Sequence, residues 1–273
     1  MVTLNKTLPK DRKKIAFSAK SRQLLLGALL PVSLMFLWEW AGRSGYLNPL
    51  LLPAPSAIWN EFIFLLQQQH LLGHLQVSVL RALAGLAIGG SLGLVLGLII
   101  GFSYKSQRAF DPTIQMIRML PHLAIAPLFI LWFGFGETSK LLLIAKGAFF
   151  PLYINTFLGI RSADSKLFEV ARVLQFNKMQ LVLKLIIPSA LPHILLGLRL
   201  SVGVSWLGLV VAEMMGSTEG IGFLINDARS MSIITTVFVG IIIFALLGKL
   251  SDFLVLTVEK KLLNWQSTFK GGK

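Results

Sequence analysis

The 273-residue chain has no cysteine, so neither a disulfide nor a thiolate-bound metal or redox centre carries its function. It is poor in acid: 12 Asp and Glu stand against 26 Lys and Arg, a formal net charge of +14. It has no GxxxxGK[ST] phosphate loop, so energy for any work it does comes from another chain or from a gradient. No nucleophile, base and orienting group form a pattern, which argues against catalysis by this polypeptide. Charge of either sign is scarce, at 14% of residues against 55% apolar. With a mean hydropathy of +0.73, this excludes a soluble domain and describes an all-α polytopic membrane protein. The basic excess is not gathered into one soluble patch, which excludes nucleic acid as a partner.

What is present is a series of apolar runs. A membrane helix needs about 20 residues, and six runs meet this at 24–40, 77–102, 112–134, 141–160, 194–215 and 233–256. The first is kept as a span, not a cleaved signal peptide, because WEWAGRSG puts tryptophans where a cleavage site needs small residues. Lys and Arg cluster on alternate sides. Seven lie up to Arg22, two at Lys105 and Arg108, five from Arg161 to Lys184 and four from Lys260 onward, against three (Arg43, Lys140, Arg229) on the other side. This bias places both termini in the cytoplasm. The expected division is a cytoplasmic basic tail at 1–22, a six-helix domain at 23–262 containing a cytoplasmic loop at 161–193, and a cytoplasmic tail at 263–273.

In the second span Gly85, Gly89, Gly93, Gly97 and Gly101 recur every fourth residue and line one helix face, a packing seam that another backbone can approach closely. The third span holds Pro112, Pro121 and Pro127 with Arg118 and His122, which predicts a kinked helix able to line a cavity. Ionisable residues at membrane depth are costly and face protein or water. Arg118, Arg199 and Lys249 lie near the cytoplasmic ends and Arg81 near the outer end, where long cationic side chains snorkel. Lys146 is the deepest, and it faces either a path for an anion or a structural partner. A transporter coupled to ions would place carboxylates at mid-depth, but Glu39, Glu213 and Asp252 all lie at span ends.

The loop between the fourth and fifth spans is far longer than a turn requires. In SKLFEVARVL, Leu167, Val170, Ala171 and Leu174 fall on one helical face. In NKMQLVLKLIIP, Asn177 with Gln180 forms a capping-box pattern at the start of a second helix, which Pro188 and Pro192 are expected to end. The pair is a helix-turn-helix that docks on something.

Glu169, Ala171, Ile187-Pro188, Pro192 and Gly197-Leu198 resemble the EAA signature of permease subunits of ABC importers. The resemblance extends from about Leu30 to Leu262 through LLPAPSAIWNEF, KGAFFPLYINTFLGIR and VAEMMGSTEGIGFLI. It is nearest the branch that imports aliphatic sulfonates, with taurine, nitrate and bicarbonate permeases beside it. It implies a type I importer permease fold in a bacterial inner membrane. The chain would pair with a second copy, a separate ATPase dimer that uses the ATP, and an extracytoplasmic solute-binding protein. It would need no cofactor of its own. Glu169, Ala171, Arg172, Gln175 and Phe176 would form the ATPase-coupling site, and Arg118, His122 and Lys146 would border the path. Gln175 and Phe176 stand where the family has a turn glycine and a small residue, so a shared backbone there would carry strain at Gln175.

Overall fold

A computed structural model describes residues 27, 29–68 and 71–265. The expected tail at 1–22 and the end of the tail at 263–273 lie outside these residues, as does part of the span at 24–40. All regular structure among the described residues is helical. In chain order the elements are α1 (described at 29–43), α2 (Pro55–Gln68), α3 (Leu71–Phe102), α4 (Tyr104–Arg118), α5 (His122–Phe133), α6 (Glu137–Arg161), α7 (Ser165–Val173) and α8 (Lys178–Leu181). A π-helical turn at Val182–Ile186 follows, then α9 (Ile187–Gly216), α10 (Ile221–Ser230) and α11 (Ile234–Leu262). Among the described residues α3, α6, the run Lys178–Gly216 and α11 are each long and apolar enough to cross a membrane, and α4 and α5 together pass the same test as a bent pair, a broken span or a re-entrant loop.

The core is a layer of α3, α6 and α9 with α6 in the middle. The glycine seam explains how closely they sit. A Cβ on Gly89 would stand 2.0 Å from the Ala145 carbonyl oxygen, and one on Gly93 would stand 2.5 Å from that of Phe149. From the other side, Ser201 Oγ donates to the Ala148 carbonyl at 2.6 Å. A second apolar cluster, around Ile58, Leu65, Ile221, Ile225 and Val239, holds α2 and α10 against α11. Both α2 and α10 lie outside the six expected runs, since they are too short and too polar to register as spans.

The third span differs from expectation. It is not one kinked helix over 112–134 but two helices meeting at 99°, and the first begins at Tyr104. The break falls at 119–121, where Pro121 lacks an N–H and disfavours helical backbone for Leu120. The pair follows α6 along its length: the Arg161 guanidinium lies over the Tyr104 ring, Tyr153 Oη donates to Asp111 Oδ1 at 2.7 Å, and Ala126 packs with Leu143. α5 has 12 residues, about 18 Å, and cannot cross a hydrocarbon core of about 30 Å alone.

The fifth span also differs. Pro188 and Pro192 do not end the second loop helix, which continues into α9 as a 39-residue helix from Lys178 to Gly216. The π turn accommodates the prolines. The Ile187 N–H bonds back to the Val182 carbonyl, five residues away, and Pro188 falls at the start of α9 where a missing donor costs least.

Candidate functional site

Three groups of residues stand out: an exposed helix-turn-helix face at one end of the bundle, the expected docking face; a polar break between α4 and α5; and a buried ion cluster.

The docking face is built by caps. Asp164 Oδ1 accepts from the Lys166 N–H at 2.9 Å and starts α7. The helix closes with the Phe176 N–H on the Ala171 carbonyl (2.9 Å) and the Gln175 N–H on that of Arg172 (3.1 Å), the bonds of a Schellman motif. Gln175 takes φ +51°, so the left-handed turn is kept without glycine. The next helix opens with the expected capping box: Asn177 Oδ1 accepts from the Gln180 N–H (2.8 Å) and Gln180 Oε1 accepts from the Asn177 N–H (3.0 Å).

Ala171 is buried in a cluster with Ile160, Leu185, Ile186 and Ala190, against which Phe168 and Phe176 pack. Glu169, Arg172 and Gln175 are exposed. Leu167, Val170, Ala171 and Leu174 share one face as expected and line a groove with Phe176, Leu185, Pro188 and Trp265, while Val173 is 82% exposed. Ala171 and Phe168 of α7 pack into the bundle, and Leu167, Val170, Val173 and Leu174, with Met179 beyond the turn, are exposed. Glu169 makes no ion pair among the described residues.

At the break, Lys146 Nζ donates to the Leu120 carbonyl at 2.7 Å. It satisfies a carbonyl at the break between the two helices. Lys146 lies about 14 Å along α6 from Glu137, in the interior of a helix long and apolar enough to cross a membrane. A Cβ on the neighbouring Gly147 would stand 3.4 Å from His122 Cε1, which brings His122 to the same place. The His122 Nδ1 is buried and makes no hydrogen bond among the described residues. Arg118 is exposed in the last turn of α4, one turn before the break. α4 buries none of its residues and carries Gln107, Arg108, Asp111, Gln115 and Arg118 beside the membrane-crossing half of α6.

A third polar group was missed by the sequence reading. Arg81 does not snorkel; it is 6% exposed and ties α3 to α6, α9 and the turn before α10. Its Nε and Nη2 donate to the two Glu137 carboxylate oxygens at 2.7 and 2.6 Å, and its Nη1 donates to Glu213 Oε1 at 3.0 Å and the Glu219 carbonyl at 2.7 Å. Glu213 also accepts from Ser78 Oγ and the Gly222 N–H, each at 2.9 Å. A Cβ on Gly220, where φ is +112°, would stand 2.3 Å from Glu213 Oε1. The only signal in the sequence was the distance, 132 residues, between two opposite charges at equivalent ends of different spans. Arg199 is likewise paired, its Nε donating to Asp252 Oδ1 at 2.5 Å.

Known proteins give this architecture a family. Residues 93–264 match the family described as binding-protein-dependent transport system inner membrane component. The chain is 54% identical over 245 residues to a Bacillus subtilis protein named as an aliphatic sulfonates transport permease, SsuC, covering 90% of this chain and 89% of that one. Identity to the Escherichia coli protein of the same name is 44%, over 88% of this chain and 91% of that one. Identity to the E. coli taurine transport system permease protein TauC is 30%, over 97% and 98%. Inward-facing structures of the MetNI methionine ABC transporter share the fold, with a TM-score of 0.57 at 18% identity over 67% of this chain and 94% of that one. The bundle and these relatives agree: the chain belongs to the binding-protein-dependent inner membrane permeases, the membrane subunits of ABC importers.

Proposed function

We propose that the chain forms the translocation path of an ATP-driven importer for a small organic anion, an aliphatic sulfonate in the first instance. Taurine, the cargo named for one relative, belongs to the same chemical class. Two copies would face each other across a central path, each docked by α7 and α8 on an ATPase subunit, with a solute-binding protein delivering cargo from outside. Both termini would lie in the cytoplasm with the ATPase. The chain itself would perform no catalysis and hold no cofactor; ATP would be hydrolysed by the partner.

The observation that carries the anion path is the broken α4–α5 span. A polar half-helix at membrane depth is tolerated where it borders water or protein, and α4 is polar with no buried residue. At the break an ammonium, an imidazole and the N-terminal end of α5 come together. A helix N-terminus carries a partial positive charge, so all three favour a sulfonate or carboxylate passing at mid-depth. Coupling to ions has less support. Glu39, Glu213 and Asp252 are each paired with an arginine and not free to carry a proton or sodium ion.

The test is uptake by proteoliposomes containing this chain, its ATPase and its binding protein, supplied with labelled alkanesulfonate, taurine, nitrate or bicarbonate. ATP-dependent accumulation of alkanesulfonate is the expected result. Accumulation of another anion corrects the cargo, and gradient-driven uptake without the ATPase overturns the reading.

A further inference from the structure

Away from the path and the docking face, α1, α2 and α11 enclose an apolar groove of about 510 Å³. Its floor is buried, with Ile58 and Val239 at 5% and 2% exposure, while Trp59, Ile242 and Leu246 stand open on its walls. A second lobe of about 280 Å³, between Val32, Phe36 and Glu39, shares Met35 and Pro55 with the first, so one ridge divides a two-lobed depression.

Depth and charge identify what fits. On α11 the groove runs from Val239 to Leu246, about 8 to 18 Å from the start of the helix. On α1 it runs from Val32 to Glu39, below Arg43 at the end of that helix. Both spans correspond to one leaflet of a bilayer about 30 Å thick. At the interfacial mouth, Glu39 Oε2 accepts from the Ser56 N–H at 2.9 Å, and Glu39 Oε1 pairs with Arg43 Nε. The Arg43 side chain is 70% exposed, and only one of its five N–H donors is used in that pair.

We propose that this depression is a binding site for one diacyl phospholipid, with an acyl chain in each lobe and the phosphate on Arg43. Two lobes match two chains, both lie within one leaflet, and the exposed cation stands at their interfacial mouth. Bulk lipid meets the convex faces of the bundle and exchanges freely; a lipid held in a concave site with a charged anchor is retained.

The test uses the full chain with its ATPase, purified in detergent and resupplied with dioleoyl phosphatidylethanolamine, and counts bound lipid per chain by native mass spectrometry. One retained phospholipid per chain is expected. Ile242→Trp and Leu246→Trp fill the larger lobe from exposed positions, and exclusion of about two methylenes weakens retention about tenfold. Arg43→Gln, a surface change that leaves the lobes intact, also lowers retention. No retained lipid in the unaltered complex, or equal retention in both tryptophan variants and Arg43→Gln, overturns the proposal. Loss of chain-to-chain association in the tryptophan variants, with lipid count unchanged, overturns it in favour of a second copy on this face.

Discussion

Gln175 holds a left-handed backbone that costs a side chain about 1–2 kcal/mol, and the two Schellman bonds with the buried Ala171 fix it there. Gln175→Gly is therefore expected to retain coupled uptake, whereas the β-branched Gln175→Val lowers thermal stability by about 1–2 kcal/mol and loosens the turn. Glu169, exposed and unpaired among the described residues, is expected to act on a partner instead of on the fold. Glu169→Lys should leave the unfolding midpoint unchanged while ATP hydrolysis by the complex no longer drives uptake; normal uptake would remove Glu169 from the interface. Lys146 has two attachments, its bond to the Leu120 carbonyl and its place in the interior of α6. Lys146→Met should slow sulfonate uptake in proteoliposomes without weakening ATPase assembly, and Lys146→Arg should restore part of it. Unchanged kinetics in Lys146→Met would leave only the bond to Leu120 as its role.

Among elements, the α3 seam was legible because a four-residue glycine repeat has one geometric meaning, and the helix it meets, α6, has carbonyls where side chains would be. Gly93→Leu is expected to separate the two helices and cost about 1–3 kcal/mol or more through overpacking, seen as a lower melting temperature and poor yield of folded chain. The capping box and turn at 175–180 were legible for the same reason, since each rests on a local pattern of side chain and backbone. The break at 119–121 was only half legible. Pro121 marked the place, but proline bends some membrane helices and divides others, and the outcome depends on a carbonyl acceptor meeting Lys146 from 26 residues away. The continuity of Lys178–Gly216 was hidden likewise, because a π turn leaves no periodic trace once prolines follow it.

For the whole molecule, apolar runs located the four helices long enough to cross a membrane and the bent pair α4–α5, but not the Arg81 cluster that joins the ends of α3, α6, α9 and α10. Pairing across 132 residues is set by packing, not by local pattern. Arg81→Met leaves the Glu213 carboxylate buried without its cation, and is expected to destabilise the chain by about 3–5 kcal/mol. A denaturation series in detergent would measure this, with Arg81→Met/Glu213→Gln recovering part of the loss. That cluster sits at one end of a helix whose other end, at Lys178, adjoins the docking turn. Thirty-nine residues of unbroken helix make a rod about 58 Å long. A tilt of about 10° carries one tip of such a rod about 10 Å sideways relative to the other. The stroke that opens one side of the membrane and shuts the other thus needs only a small angle, and the π turn near the driven tip is the place where the rod can flex before the load is taken up.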